Sequence, residues 1–365
     1  MDGRSPLESE IRRRIAVAGP MPVAEYMALC LFDHEHGYYT TRDPFGARGD
    51  FITAPEVSQM FGELIGLWMS AVWKQMGAPE NVRLIELGPG RGTLMKDALR
   101  AIQIVPDFRA AIVVHLVEVS PLLQAQQEAA LEGAGVPTFW HKALSEVPKG
   151  PAILVANEFF DALPVNQAIK TDRGWHERRI EIDESDQLAF TVAPETIPFF
   201  QSLLPPAIRA ARTGAIFEWR SDNEAVEMGR RVADGRGAAL VVDYGHIESG
   251  LGETLQAVGQ HAFADPLTNA GNLDLTAHVD FQALVRAVEA MGVVSFGPLE
   301  QSQFLRRLGI EQRAASLKTK AAHAADIDQA LARLIGHDRT AMGELFKVVA
   351  FAHPSIGAPP GFETR

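Results

Sequence analysis

The chain has 365 residues, 47% of them apolar, and a formal net charge of −12. That length holds one large domain with a satellite and buries a sizeable core, while an ordinary charged fraction of 22% excludes global disorder. The acidic balance excludes a general nucleic-acid binder, because neutralising phosphates takes a basic surface.

Residues 1–80 read as a helical cap. Ser5 before Pro6 and Glu8 has the form of a helix start, and Cys30 sits in an apolar run as a small core residue. As the one cysteine, Cys30 cannot form an internal disulfide, and no Cys/His cluster has zinc-ligand spacing, so no metal site is expected. Acidic residues Asp2, Glu8 and Glu10 among the early arginines fit neither a secretory signal nor a presequence, and no apolar run is long enough to span a membrane. The expected location is the cytoplasm. A Gly- and Pro-rich loop covers 36–55, a length that points to a function. Met60, Phe61, Leu64, Ile65, Leu67, Trp68, Val72 and Trp73 then recur at helical spacing.

From residue 81 short apolar runs alternate with helical segments. Runs at 82–87, 112–117, 152–156 and 238–242 have the continuous apolar texture of strands buried on both faces, with helices at 94–102 and 122–131 between them. Later strands are expected at 293–296 and 345–351. This alternation predicts right-handed βαβ units and a parallel sheet. Residues 164–225 break the rhythm. Runs at 165–170, 175–182 and 188–192 predict an antiparallel meander inserted into a core formed by 81–163 and 226–353.

The first run ends in Glu86, Leu87, Gly88, Pro89, Gly90, Arg91 and Gly92, and opens into a helix. Glycine permits positive φ and close approach of a ligand, and the helix start offers free N–H groups. Dinucleotide enzymes place the third glycine three residues after the second, where this chain has Thr93. The early Gly92 instead gives the E-x-G-x-G-x-G pattern of Rossmann-like methyltransferases that bind S-adenosyl-L-methionine (SAM). Glu118, ending the next strand, is placed to accept hydrogen bonds from both ribose hydroxyls. The acid often found near the adenine after the third strand is missing, and Trp140 there suits either base stacking or the core.

After the fourth strand come Asn157, Glu158 and Asp161, polar groups in apolar surroundings. They lie on the carboxyl edge of the sheet, where ligands of open α/β sheets bind. Methyl transfer from a sulfonium is an in-line displacement. Paired carboxylates suit an amine or guanidinium acceptor, which they bind, orient and relieve of a proton. The alternative is a turn whose acids cap backbone N–H groups. Asp243 and His246, ending the fifth strand, are weaker candidates for the same pocket.

Seven stretches carry a resemblance: 36–39, 49–63, the glycine loop, 157–165, 243–245, 274–281 and 342–348. Together they resemble the MidA-like family, SAM-dependent methyltransferases that include a mitochondrial complex I assembly factor. The resemblance implies SAM as methyl donor and a Rossmann-like core with a helical N-terminal cap and an insertion containing antiparallel strands. It also implies a loop carrying Thr53, Pro55 and Ser58 that closes over the cofactor. By the same resemblance the acceptor is an arginine on a subunit of a respiratory NADH dehydrogenase (complex I), and a homodimer is compatible with it. One departure stands out. Arginine methyltransferases hold the guanidinium between two glutamates set well apart on a hairpin, whereas Glu158 and Asp161 are close together, so the second arm is expected elsewhere. The competing functions are a SAM-binding assembly chaperone without turnover and a small-molecule N- or O-methyltransferase.

Overall fold

The computed structural model describes residues 4–42, 53–259, 262–319, 324–338 and 340–363. Residues 49–52 of the resembling stretch lie outside the described residues. The centre is a sheet of seven strands: β1 (Val82–Leu87), β2 (Ile112–Val117), β3 (Thr138–His141), β4 (Ala152–Asn157), β5 (Ala238–His246), β6 (Val294–Glu300) and β7 (Phe346–Ala352). They lie in the order 3-2-1-4-5-7-6, with a two-residue strand, Val279–Asp280, beside the end of β5. β1 to β5 run parallel, and β7 runs antiparallel to both neighbours. This is a Rossmann-like methyltransferase sheet.

Side chains alternate between two cores. Val82 and Leu84 of β1, Ile153 and Val155 of β4, and Leu240 and Val242 of β5 face helices Gln59–Gln75 and Thr93–Ile102. Ile85, Leu154 and Val241 face helices Asn223–Asp234 and Phe281–Glu289 on the other side. Apolar residues on successive positions therefore bury both faces, which is why the strands read as unbroken apolar runs.

The N-terminal helices, Pro6–Ala18 and Val23–Phe32, bury Leu7, Ile11, Tyr26, Met27 and Cys30 against Val165, Ile180 and Leu275. Ser5 caps the first helix, its Oγ accepting from the Glu8 N–H at 3.0 Å. The meander forms as Val165–Thr171, Gly174–Ile182 and Leu188–Thr196. Two features exceed the sequence expectation. Ile216–Arg220 pairs with Val165–Thr171, and Met21–Pro22 pairs with Gly174–Ile182. A further small sheet joins Gln256–Gly259, Ala262–Ala264 and Asp274–Thr276. Strands of two to five residues carry too little alternation to be read from a pattern. No described helix is long and apolar enough to cross a membrane.

Helix Gln59–Gln75 ties the cap to the core through two glycines. A Cβ on Gly62 would stand 2.7 Å from Asp97 Cβ, and one on Gly66 2.6 Å from the Ala98 carbonyl oxygen. Next to them Glu63 is buried, accepting from Arg313 Nε at 2.7 Å, Arg313 Nη2 at 2.9 Å and Arg100 at 3.0 Å. Burial alone would raise its pKa, but the two arginines bring it below the ordinary value. Alanine in place of a helical glycine gains up to about 1 kcal/mol of intrinsic propensity. At Gly66 the backbone clash outweighs that gain, since overpacking a tight contact costs about 1–3 kcal/mol. Gly66→Ala should therefore lower the urea unfolding midpoint, and a raised midpoint would show that the two helices separate freely.

Candidate active site

The glycine loop is shaped by three left-handed residues, with φ of 60° at Gly88, 53° at Gly90 and 80° at Gly92. The Gly92 N–H closes a tight turn onto the Pro89 carbonyl at 2.8 Å, and helix Thr93–Ile102 begins there. A Cβ at Gly88 would stand 3.0 Å from the Phe159 ring, so the loop and the acidic turn touch directly. Gln127, fully buried, donates to the Gly90 carbonyl at 2.7 Å and to Glu118 Oε2 at 3.0 Å. The other Glu118 oxygen accepts from the Ser120 N–H at 2.7 Å. Burial raises the Glu118 pKa. Trp140 donates its indole N–H to Gln127 at 2.9 Å. It packs on the core and supports the loop, so the core role holds for this side chain. Gln127 has no signal in sequence, because a helix-face glutamine reads as solvated.

The acidic turn is held from below. Asp243 is fully buried and accepts the N–H groups of Phe160 at 2.9 Å, Asp161 at 3.2 Å and Tyr244 at 2.9 Å. It shapes the turn and does not line the cavity. Glu158 adopts φ 50°, a left-handed conformation rare for residues with a side chain. Its Oε1 accepts from the Ala54 N–H and from Asn157 Nδ2, both at 3.1 Å. Burial, with Asp161 adding repulsion, pushes the Glu158 carboxyl up to about 8. Asp161 is also raised by burial, against the favourable Tyr244 hydroxyl and Arg220. Among the described residues, Asp161 Oδ1 and Asn157 Oδ1 are buried acceptors without a hydrogen-bond partner. Such atoms are costly to bury, and of the two residues Asp161 lines the cavity described next whereas Asn157 does not.

One cavity of about 610 Å³ joins these parts. Gly88, Gly90 and Glu118 line it together with Val119, Leu123 and Ala143, and so do Glu158, Asp161 and Tyr39. Its volume suits a cofactor together with an acceptor side chain. Thr53 is on the wall, whereas Pro55 and Ser58 are not: Pro55 is buried, and Ser58 caps helix Gln59–Gln75 by accepting from the Met60 N–H. Glu56 instead fastens this segment to the glycine loop, accepting from the Thr93 hydroxyl and lying 3.8 Å from Arg91. Glu86 likewise stays off the cavity wall. By the alternation along β1 it points to the face under helix Gln59–Gln75, where burial lifts its carboxyl to about 8. His246 and Phe160 line a second cavity of about 360 Å³ behind the turn, to which the glycine loop contributes nothing. Among the described residues no group of three His, Cys, Asp or Glu side chains could hold a metal ion.

A glycine cradle of positive φ, an acid ending the second strand and buried acceptors on one sheet edge fit the nucleoside and amino-acid ends of SAM. Fold and site together define a Rossmann-like SAM-dependent methyltransferase. The model of an S-adenosyl-L-methionine-dependent methyltransferase family matches residues 64–299, and the chain belongs to that family. It is 38% identical to the mitochondrial protein arginine methyltransferase NDUFAF7 homolog of Drosophila melanogaster, over 95% of this chain and 85% of that one. To the human mitochondrial protein arginine methyltransferase NDUFAF7 it is 37% identical, over 87% of this chain and 76% of that one. A crystal structure of a Burkholderia thailandensis protein bound to S-adenosyl-homocysteine superposes with a TM-score of 0.86 at 29% identity, covering 98% of this chain and 94% of that one. These relatives correct the expected cytoplasmic location, since those compared by sequence are named as mitochondrial. Few cysteines report a reducing compartment, a condition that does not single out the cytoplasm.

Gly90→Val should abolish S-adenosyl-homocysteine binding, by at least about 100-fold in calorimetry, because a β-branched residue at positive φ adds about 1–3 kcal/mol of strain to a wall the ligand must touch. Far-UV circular dichroism should stay unchanged. Normal binding by the variant would remove the glycine loop from the cofactor site.

Proposed function

We propose that the chain is a protein arginine N-methyltransferase whose acceptor is a subunit of a respiratory NADH dehydrogenase under assembly. The observation that carries the arginine reading is the pair of a half-buried Glu158 and a buried Asp161, both lining the cavity that also holds the glycine loop. The names of the relatives support the same reading. Gly88, Gly90, Gly92, Glu118 and Thr53 are assigned to the cofactor. Asn157, Glu158 and Asp161 are assigned to the acceptor. Pro55, Ser58 and Glu86 are assigned to support of the site rather than to contact. The N-terminal cap, residues 1–80, and the insertion, 164–225, frame the core and provide the protein-facing surface.

Bound in the cradle, SAM supplies a methyl group on a positively charged sulfur. A guanidinium is hard to deprotonate, so alignment and a nearby proton acceptor matter most. The acceptor nitrogen uses its lone pair to form the new N–C bond as the C–S bond breaks, its electron pair staying on sulfur. The nitrogen's proton passes to Glu158 and from there to solvent. Enclosure of the carboxylates by Phe159, Leu163 and Tyr39 strengthens their hold on a cation.

The test incubates the purified protein with methyl-labelled SAM and an extract of cells lacking the gene. One dominant labelled band that yields methylarginine on hydrolysis is expected. Glu158→Gln should reduce labelling by about 100-fold or more, the usual share of a positioned proton acceptor, while SAM affinity is kept. Because Glu158 must be ionised to take the proton and its carboxyl stands at about 8, the wild-type rate should rise from pH 6 toward pH 8 and level off above it. No label on any protein, with SAM bound, would replace this reading with an assembly chaperone or a small-molecule acceptor.

A further inference from the structure

Both hydrogen bonds that the Glu158 carboxylate accepts fall on one oxygen. Oε1 takes the Ala54 N–H and Asn157 Nδ2, each at 3.1 Å, and among the described residues Oε2 has no donor. The Glu158 backbone is fixed by its left-handed φ of 50° and by its N–H to the Val242 carbonyl at 2.9 Å. Two donors on Oε1 therefore settle what the side-chain torsions leave open. Asn157 is the neighbouring residue, at the end of β4, whereas Ala54 comes from the N-terminal cap, 104 positions away in the chain.

Ala54 is fully buried and is the first residue of the helical turn Ala54–Val57. The Thr53 carbonyl accepts from the Glu56 and Val57 N–H groups at 2.9 and 3.0 Å, so the turn has a fixed form. Glu56 fastens it to Thr93, and helix Ala324–Ile335 packs on it. A backbone N–H in such a turn neither swings nor titrates, so its direction is as fixed as the turn itself. The charged groups around Glu158 act on it without bonding to it. Asp161 and Asp243 repel its ionised form, and Arg333 of helix Ala324–Ile335 attracts it. Tyr39, Tyr244 and Asp274 stand elsewhere on the cavity wall. Arg220 donates to the carbonyls of Asp161, Leu163, Ala277 and His278 at 2.6–3.2 Å and so braces the backbone behind the turn.

We propose that Ala54 is the positioning residue of the proton acceptor: its N–H holds Glu158 Oε1 and leaves Oε2 as the atom that takes the proton of the methylated nitrogen. This rests on the reading of Glu158 as proton acceptor and deepens it. As the nitrogen's lone pair closes the new N–C bond and the C–S pair stays on sulfur, the N–H pair returns to nitrogen and the proton moves to Oε2. An N–H bonded to a carboxylate favours the charged form, so the same bond opposes the burial that lifts this carboxyl. The cap thereby acts on the chemistry through a group that every residue except proline provides, and no side-chain type at this position announces it.

The test compares wild type with Ala54→Pro, which removes this N–H. Proline suits the first helical position, and Thr53, at φ −74° and ψ 162°, has the extended backbone that a following proline needs. Labelling of the protein band in the cell extract by methyl-labelled SAM is timed from about pH 6 to about pH 10. The bond favours the ionised carboxylate, so its loss should raise the midpoint of the rate profile by about one pH unit and lower the rate near pH 7 by about tenfold. S-adenosyl-homocysteine affinity should stay within about twofold, which shows that the variant is folded. A rate lowered equally at every pH, with the midpoint unmoved, would overturn the proposal and leave the proton-acceptor reading standing. A second measurement needs no change at Ala54. In the wild-type protein the Ala54 amide proton resonance should shift with pH at the midpoint of the rate profile, and in Glu158→Gln it should stay still. A wild-type resonance indifferent to pH would overturn the proposal even where the proline variant is misfolded. Labelling by Glu158→Gln at the wild-type rate would instead remove the proton-acceptor reading, and the proposal with it.

Discussion

The buried carboxylate of Asp243 is the constraint on which the active site depends. With no exposure to solvent, it accepts three backbone N–H groups, two of them from the turn that carries Glu158 and Asp161. Burial and the neighbouring Asp161 and Glu158 all raise its pKa, and the N–H groups oppose that rise. The turn in return holds Glu158 at φ 50°. Such a conformation costs about 1–3 kcal/mol and persists where the surroundings over-determine it. The Glu158 N–H to Val242 at 2.9 Å and the Arg220 brace supply that surplus of constraints. An aspartate at the end of β5 therefore acts by shaping a neighbouring turn.

The second dependence runs between the N-terminal cap and the core. Residues 53–58 bond to the acidic turn and to the glycine-loop helix, to Glu158 through the Ala54 N–H and to Thr93 through Glu56. Helix Gln59–Gln75, which follows directly, lies tight against helix Thr93–Ile102 at Gly62 and Gly66, and Glu63 joins it to Arg100 and Arg313. Placement of this segment is thus set by packing outside the cavity. Thr53 lines the wall, while Pro55 is buried and Ser58 caps the helix that follows. The cap is part of the cavity, to whose wall it contributes Tyr39 and Thr53.

Much of this was legible in the sequence. The parallel strands announced themselves because both faces of β1, β4 and β5 are buried, which makes most of their positions apolar on either face. The glycine loop and Glu118 stood out in the sequence through residue types at fixed spacing, and Gly88, Gly90 and Glu118 line the cavity. Gln127, Tyr39 and Asp274 were not assigned, since each acts through a partner distant in the chain: Gln127 through Gly90, and Tyr39 through Asp274. Tyr39 and Asp274 were signalled only by the stretches of family resemblance, 36–39 and 274–281, and Gln127 by nothing. Glu86 and Asp243 illustrate the reverse error. Both are acids at strand ends in suggestive motifs, but side-chain alternation turns Glu86 under a helix and hydrogen bonding turns Asp243 under the loop.

The central claim is that one cavity holds donor and acceptor together, between the glycine loop and the acidic turn. Hydrogen–deuterium exchange tests it most directly. S-adenosyl-homocysteine should slow exchange at 88–93 and 117–124, and an arginine tripeptide added afterwards should extend protection to 158–164 and 274–277. Protection confined to 197–205 and 278–286, which border the other cavity, would contradict the account.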